Sequence, residues 1–265
     1  MKILIGVAIA AVGVAGLAPS VWSRLHEDTP SMPPPPRLFP AAQVDTVDAA
    51  TFAAARRAKA AADAWLARHR DATDASFSEW ALSAMPKPPP DPVRKAELRT
   101  VEAAVATRSA ERTAAALWLE QWGKKTVWKL YLKQAKPFLP PTDAVRAKHA
   151  LKAALTLGAT LTGTAKEQSR QPSPYEIDRK LAAINKAKFS GEVRYSYPSK
   201  HDVLSFAALA ILRRVEPRRA AEFRWMADEV SYSRLVGGGH FPSDLVGGAY
   251  LGTLVGEYEL HRAGI

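Results

Sequence analysis

A histidine and an aspartate in the segment SRLVGGGHFPSDLVGG are spaced so that their side chains can act together. His240 precedes Pro242, a residue that suits the first turn of a helix, and Asp244 lies within that turn. A separation of four residues lets the carboxylate accept a hydrogen bond from the histidine Nδ1. This bond would fix the tautomer and leave Nε2 free to act.

The surroundings of this pair suit an anion. Arg234 supplies a planar guanidinium that matches phosphate oxygens. Gly237 to Gly239 allow close backbone approach and could direct N–H groups at an anion, although three glycines are more often simply a loop. Upstream, the segment SYPSKHD places His201 at the entry to another predicted helix. Together these residues predict a site that binds an anion and places a reactive histidine beside it.

These segments resemble the phosphatidic acid phosphatase type 2 superfamily, which includes bacterial class A non-specific acid phosphatases and vanadium haloperoxidases. Its three motifs are Lys-x6-Arg-Pro, Pro-Ser-Gly-His and Ser-Arg-x5-His-x3-Asp. The third motif is matched in full by Ser233, Arg234, His240 and Asp244. The second is matched by Pro198, Ser199 and His201, with Lys200 in place of glycine. The first is approximated by KLYLKQAKP, with Lys129 and Lys136 at its two basic positions.

The resemblance implies a metal-independent acid phosphatase. His240 would attack phosphorus and form a phosphohistidine, oriented by Asp244. His201 would protonate the leaving group and then activate water. The phosphate oxygens would be held by Lys129, Lys136, Ser199, Lys200, Arg234 and the backbone of Gly239. Neither a metal nor a cofactor is expected, and vanadate should act as an inhibitor or a mimic of the transition state.

Two residues depart from the family pattern. Lys136 in place of arginine keeps the charge but loses the two-pronged guanidinium. Lys200 in place of glycine would cost about 1 kcal/mol if its backbone needs a positive φ. Both substitutions suggest weak activity or a more anionic substrate.

The elements that must position these residues are helices. Alanine-rich and amphipathic segments begin near Asp48, after Asp91-Pro92, near Thr142-Asp143, at Ser173-Pro174, and over Lys200–Arg214, Pro217–Tyr232 and Pro242–Arg262. Alternating strand patterns are absent. The sequence predicts an all-α fold, a compact bundle of roughly six to eight helices of the acid phosphatase and vanadium haloperoxidase type.

Three regions are predicted along the chain. Residues 1–23 begin Met1-Lys2 and continue as an apolar run, which is typical of a signal peptide or of an uncleaved N-terminal anchor. Residues 24–47 form a proline-rich extended leader, either flexible or packed as an arm on the domain, and Leu38 and Phe39 would suit packing. Residues 48–265 form the helical phosphatase domain. The expected location is periplasmic or secreted, in a bacterium.

Composition excludes several classes of protein. The 265 residues contain no cysteine, so disulfide scaffolds, thiolate metal sites and thiol nucleophiles are excluded. The net charge of +11 favours anionic partners. We expect a phosphorylated small-molecule substrate, no nucleic acid, and membrane contact through an uncleaved N-terminus alone. A homo-oligomer stays open.

Two other functions fit the same residues. One is a lipid or isoprenoid phosphate phosphatase that works at the membrane surface. The other is a non-catalytic, basic, anion-binding protein on the same fold, suggested by Lys136 and Lys200. A haloperoxidase would share the anion pocket, but such enzymes tend to be much longer.

Overall fold

A computed structural model describes residues 32–184 and 194–265, and in these residues the chain folds as helices joined by short connections. The α-helices in this part of the chain are α1 (Ala41–Leu66), α2 (Asp74–Ala84), α3 (Asp91–Ala106), α4 (Ala110–Trp122), α5 (Thr126–Ala135), α6 (Pro141–Ser169), α7 (Pro174–Ile177), α8 (Lys200–Val215), α9 (Ala220–Val236) and α10 (Pro242–Ala263). The predicted all-α class is confirmed. The expected number of six to eight helices was too low, since these residues hold ten.

Helices α8 and α10 form the centre of the bundle, and α1, α6 and α9 pack around them. Most residues of both central helices are buried, as their apolar sequences require. Three glycines at four-residue intervals in α10 bring the two helices close together. A Cβ on Gly248 would lie 2.7 Å from the Ser199 carbonyl oxygen, and one on Gly256 would lie 2.7 Å from that of Ala207. The chemistry-bearing ends of α8 and α10 therefore meet backbone to backbone.

The leader is shorter than predicted and is packed on the domain. Residues 32–40 form neither helix nor strand, and α1 begins at Ala41 rather than near residue 48, with Pro40 at its N-cap. The Phe39 side chain is buried against the Tyr232 ring, with centroids 5.0 Å apart. The Phe39 amide donates to Glu229 Oε2 at 3.1 Å, and Trp118 Nε1 donates to the Pro33 carbonyl at 3.0 Å. The end of the leader is therefore a packed arm.

Two predicted helices are interrupted. The helix expected from Asp91 to the region of Gly123 divides after Ala106, because the Ser109 side chain accepts the Arg112 amide at 3.2 Å and starts a new helix. The helix expected from Ser173 is a single turn. Its continuation is held in an irregular path, where the Ala182 carbonyl accepts a bond from Arg108 and the Ile184 amide donates to Gly237.

The described helices were also compared with the length and hydropathy that a membrane span requires. Among residues 32–184 and 194–265, no helix is both long and apolar enough to cross a membrane. The predicted signal or anchor over residues 1–23 lies outside the described residues.

Candidate active site

The two histidine segments meet where α8 and α10 begin. The Ser199 amide, just before α8, donates to the Asp244 carbonyl in the first turn of α10 at 2.9 Å. Gly237 to Gly239 lead from the end of α9 to the start of α10. Gly238 has a φ of +71°, and a Cβ there would lie 3.2 Å from Ala183 Cα, so the turn requires glycine.

His240 and Asp244 form the pair that their spacing predicts. His240 Nδ1 lies 3.3 Å from Asp244 Oδ2, and that oxygen also accepts the Phe241 amide at 2.8 Å. Burial raises the pKa of Asp244, but the hydrogen bond and charge of His240 and the charge of Arg94 more than offset it, so the pKa lies below its usual value. Burial lowers the pKa of His240. A neutral imidazole beside an ionised carboxylate is therefore favoured, with Nε2 unprotonated.

Arg94, near the start of α3, is the second partner of Asp244. It is 2% exposed, and its Nη1 lies 3.5 Å from Asp244 Oδ1. Its Nη2 donates to the Pro172 carbonyl at 3.0 Å and to Ser196 Oγ at 3.2 Å, and its guanidinium lies 4.2 Å from the centre of the Phe241 ring. Arg94 thus joins α3, α10 and the chain before α8.

Glu97, one turn later in α3, holds the N-terminus of α10. Its Oε1 accepts the Ser243 amide at 3.1 Å and its Oε2 accepts the Ser243 hydroxyl at 2.7 Å. Acidic groups are favourable at this end of a helix. Helix α3 therefore fixes the first turn of α10 through two side chains.

His201 and Arg234 form a second cluster. Arg234 Nη1 lies 3.3 Å from His201 Nδ1 and 3.2 Å from Nε2, and His201 Nε2 lies 3.1 Å from the Glu120 carbonyl oxygen. Because that oxygen is an acceptor, the proton of the neutral ring belongs on Nε2. Burial and then the charge of Arg234 hold the pKa of His201 well below its usual value. Arg234 also lowers the pKa of His240, so it acts on both histidines.

A carboxylate from α4 completes this cluster. The Glu120 side chain accepts a hydrogen bond from Arg234 Nη1, and its Oε2 lies 3.4 Å from His201 Nε2. Its Oε1 lies 3.5 Å from Lys124 Nζ. Burial raises the pKa of Glu120, but the charges of Arg234, His201 and Lys124 more than offset it and lower the pKa to about 2.

The residues predicted to bind phosphate differ in how deeply they are buried and in what they contact. The Ser199 hydroxyl is buried beside the Asp202 carboxylate, where its hydrogen bond acts against the effect of burial on the pKa of Asp202. Lys200 lies at the start of α8 and is exposed. Its partial burial lowers its pKa, and the charges of the nearby Lys125 and Lys124 lower that pKa further. Its backbone is helical, so the expected strain is absent: the positive φ values of the described residues are at Arg170, Gly238 and Gly264.

Three other predicted ligands lack contacts that would join them to the cluster. The Gly239 amide donates to the Arg234 carbonyl at 3.3 Å, within the turn that ends α9. Lys129 is an exposed residue of α5, and Lys136 begins the following 3-10 turn. Neither lysine has an ion pair with a described residue of the site. Lys124 and Lys125, just before α5, lie nearer to it.

Lys166 on α6 is a functional candidate that the motifs do not include. Its Nζ donates to the Tyr195 carbonyl at 2.5 Å and the Ser196 carbonyl at 3.1 Å, in the chain that leads to α8. Burial lowers the pKa of Lys166 to about 8, and its charge contributes to the lowered pKa of His240. A cation therefore lies behind the His240–Asp244 pair.

One further signal in the sequence could have identified Arg94. Lys87 and Arg94 are separated by six residues, PPPDPV, which is the Lys-x6-Arg spacing of the first family motif. Lys87 is exposed, whereas Arg94 reaches Asp244. Glu120 and Lys166 have no comparable signal, because both are single charged residues on amphipathic helices.

The described residues contain no group of three or more histidine, cysteine, aspartate or glutamate side chains placed to hold a metal ion.

Comparisons with known proteins identify a family for part of the chain. Residues 148–261 match the model of the PAP2 superfamily, the phosphatidic acid phosphatase type 2 group that the motifs resemble. No curated protein matches the chain. The structure is similar to the crystal structure of a transmembrane PAP2-type phosphatidylglycerolphosphate phosphatase from Bacillus subtilis, with 19% identity, a TM-score of 0.48, and coverage of 69% of this chain and 90% of that one. Residues 148–261, which contain both histidine segments, are therefore a PAP2 superfamily domain.

Proposed function

We propose that the protein is an exported phosphomonoester hydrolase of the acid phosphatase type, working through a phosphohistidine on His240. The observation that carries this proposal is the pair formed by His240 Nδ1 and the buried carboxylate of Asp244. The pair orients the ring and leaves Nε2 for attack in line with the leaving group.

The reaction has two steps. The lone pair of His240 Nε2 forms a bond to phosphorus as the ester P–O bond breaks, and the leaving oxygen takes a proton from the imidazolium of His201. His201 then removes a proton from water, whose oxygen attacks phosphorus and breaks the P–N bond, which releases inorganic phosphate. Arg234 and the lysines nearby would stabilise the negative charge on the phosphoryl oxygens.

The charge states of the two histidines suit this sequence of steps. Burial lowers the pKa of His240, which favours the unprotonated form of its nucleophilic nitrogen. His201 is neutral without substrate, because burial and Arg234 disfavour its charged form. A bound phosphate dianion would raise the pKa of His201 and so supply the imidazolium that protonates the leaving group.

Phosphate release from an aryl phosphate, measured across pH, tests the proposal. His240→Ala should lower kcat by about a thousandfold or more, because it removes the nucleophile. His149→Ala, at an exposed histidine of α6, is the matched control and should leave the rate unchanged. Equal activity in wild type and His240→Ala would refute the mechanism.

Three further measurements test the finer parts of the proposal. Rapid acid-free quenching should trap a phosphohistidine that is lost in His240→Ala, and dialysis against a chelator should not change the rate. Determination of the mature N-terminus tests export. Removal of residues 1 to about 23 would support a secreted enzyme, whereas retention would support the membrane-surface phosphatase.

A further inference from the structure

The proposed phosphate site already contains an anion that belongs to the chain. The Glu120 carboxylate is bonded to Arg234 and lies 3.4 Å from His201 Nε2, two groups proposed above to contact a phosphoryl group. The side chains of Arg234 and His201 are buried, with 5% and 7% of their surface exposed, so few other groups can reach their hydrogen-bonding atoms. A phosphate that bound both would have to replace this carboxylate.

Backbone carbonyls of α4 also contact His201 and Arg234, and these contacts keep Glu120 at this position. The Glu120 carbonyl lies 3.1 Å from His201 Nε2, and the Ala116 carbonyl, one turn earlier, accepts a bond from Arg234 Nη2 at 3.4 Å. The helix therefore remains in place when the side chain of Glu120 turns away. Displacement requires only a change of rotamer.

A second cation is available to the displaced carboxylate. Lys124 Nζ lies 3.5 Å from Glu120 Oε1, and the Lys124 side chain is 35% exposed at the outer edge of the cluster. Rotation toward Lys124 would take the carboxylate away from Arg234 while keeping an ion pair. Glu120 is thus shared between an inner partner and an outer one.

We propose that Glu120 is a specificity-determining residue, an internal anion that a phosphoryl group must displace from Arg234 and His201. This inference rests on the proposed function insofar as the site is taken to bind phosphoryl groups. A carboxylate carries one negative charge, so a phosphate dianion that replaces it gains electrostatic energy, whereas a monoanion gains little. The site therefore selects terminal phosphate monoesters over singly charged diesters.

Calorimetric titration of the full-length protein with inorganic phosphate at neutral pH tests the inference. Glu120→Gln keeps the size of the side chain and removes its charge, and it should bind phosphate about tenfold more tightly, as for a site that the carboxylate occupies nine-tenths of the time. Glu111→Gln removes the same charge from an exposed position of α4 and should leave the affinity unchanged. An unchanged or weaker affinity in Glu120→Gln would overturn the inference.

A second variant guards against misfolding of the first. Glu120→Asp retains the charge on a side chain that is one methylene shorter and reaches Arg234 less well, so its affinity should lie between those of wild type and Glu120→Gln. Should Glu120→Gln not fold, Glu120→Asp decides: affinity equal to wild type overturns the inference.

Turnover measured beside binding separates this inference from the proposed function. Tighter phosphate binding in Glu120→Gln with no hydrolysis by either protein would refute the phosphatase and support the displaced anion. Hydrolysis by wild type with equal phosphate affinity in both proteins would do the reverse. If neither protein bound phosphate, both proposals would be refuted.

Discussion

At the scale of single residues, the Asp244 carboxylate has two partners, a histidine ring that donates a hydrogen bond to it and an arginine that carries a positive charge. One oxygen faces His240 and the other faces Arg94. The histidine is the proposed nucleophile, whereas the arginine touches neither the nucleophilic nitrogen nor any described group that would bind phosphate. Arg94 is therefore a positioning residue that acts through Asp244.

Replacement of Arg94 by methionine should affect both stability and activity. The substitution removes the guanidinium that contacts the buried carboxylate, which should lower the free energy of unfolding by about 3–5 kcal/mol. It should also lower kcat by roughly tenfold to a hundredfold, as loss of an outer partner of a functional histidine does in metal sites. Urea denaturation and steady-state hydrolysis of an aryl phosphate measure the two effects.

A pH profile separates positioning from a purely structural role. The charge of Arg94 helps to lower the pKa of Asp244, so its loss should raise that pKa and move the acidic limb of the kcat profile to higher pH. Arg94→Lys should restore part of the profile. A methionine variant that is less stable but has an unshifted limb would show that Arg94 only supports the fold.

A residue of the site could be predicted from the sequence when its partner lies close to it along the chain. His240 and Asp244 are four residues apart on one helix, so spacing alone predicts their contact. Arg94 lies 150 residues from Asp244, and Glu120 lies 114 residues from Arg234. No spacing rule connects such pairs. Lys129 and Lys136 match the first motif only approximately, whereas the Lys-x6-Arg spacing that ends at Arg94 lies in a proline-rich break between predicted helices.

At the scale of elements, the distance between α8 and α10 determines where the two histidines lie. Gly248, Gly252 and Gly256 present no side chain to α8, and a Cβ on Gly252 would lie 3.0 Å from Val203 Cα. The atoms nearest to that Cβ all belong to the Val203 backbone, so they cannot turn aside as a flexible side chain would. The helix pair must separate if a methyl group is added there.

Gly252→Ala should therefore destabilise the protein and reduce its activity. Overpacking of this kind costs about 1–3 kcal/mol, and separation of the helices should move His240 relative to His201. Thermal unfolding followed by circular dichroism should show a Tm lowered by several degrees, about 2–4 °C per kcal/mol for a chain of this size. The hydrolysis rate should fall in the same variant.

Gly163→Ala is the matched comparison. Gly163 lies within α6, and a Cβ there would have no atom within 4 Å. Alanine should stabilise this helix by about 0.5–1 kcal/mol, since glycine is the less favourable residue in a helix interior. If both variants had the same Tm as wild type, close packing of α8 on α10 would not limit stability.

Helix ends were predicted well where proline or a capping residue marks them. The breaks before Asp91 and the starts at Lys200 and Pro242 follow from local chemistry. The single turn Pro174–Ile177 could not be predicted, because the residues after it form hydrogen bonds with distant parts of the chain instead of with each other. Tertiary contacts override helix propensity in that segment.

At the scale of the whole molecule, a basic protein with a net charge of +11 contains a buried carboxylate that has no cation beside it among the described residues. This is Glu229 on α9, fully buried beneath the leader, where its Oε2 accepts the Phe39 amide at 3.1 Å. Burial raises the pKa of Glu229 to about 8, although the bond from Phe39 acts in the opposite direction. The folded protein therefore holds a proton there at neutral pH.

Glu229→Gln should change how stability depends on pH. Between pH 4.5 and about 8, the unfolded chain releases a proton that the folded chain keeps, so the free energy of unfolding falls as the pH rises. Glutamine has no proton to release. Relative to wild type, the variant should gain about 2–4 kcal/mol between pH 4.5 and pH 8, measured by urea denaturation at both values.

Glu111→Gln is the control for this measurement, because that carboxylate is exposed on α4. Its curve should run parallel to that of wild type. A Glu229→Gln curve that also ran parallel would mean that Glu229 is ionised in the folded protein and that its charge is compensated by groups around it.

The composition of the leader also affects the entropy of folding. Pro33 to Pro36 have φ angles that are already restricted in the unfolded chain, so this segment has few conformations to lose when it becomes ordered. A glycine- and serine-rich linker of equal length would lose far more. A stretch with neither helix nor strand can therefore be held in place by the Trp118 bond to Pro33 and the burial of Phe39, because little disorder has to be overcome.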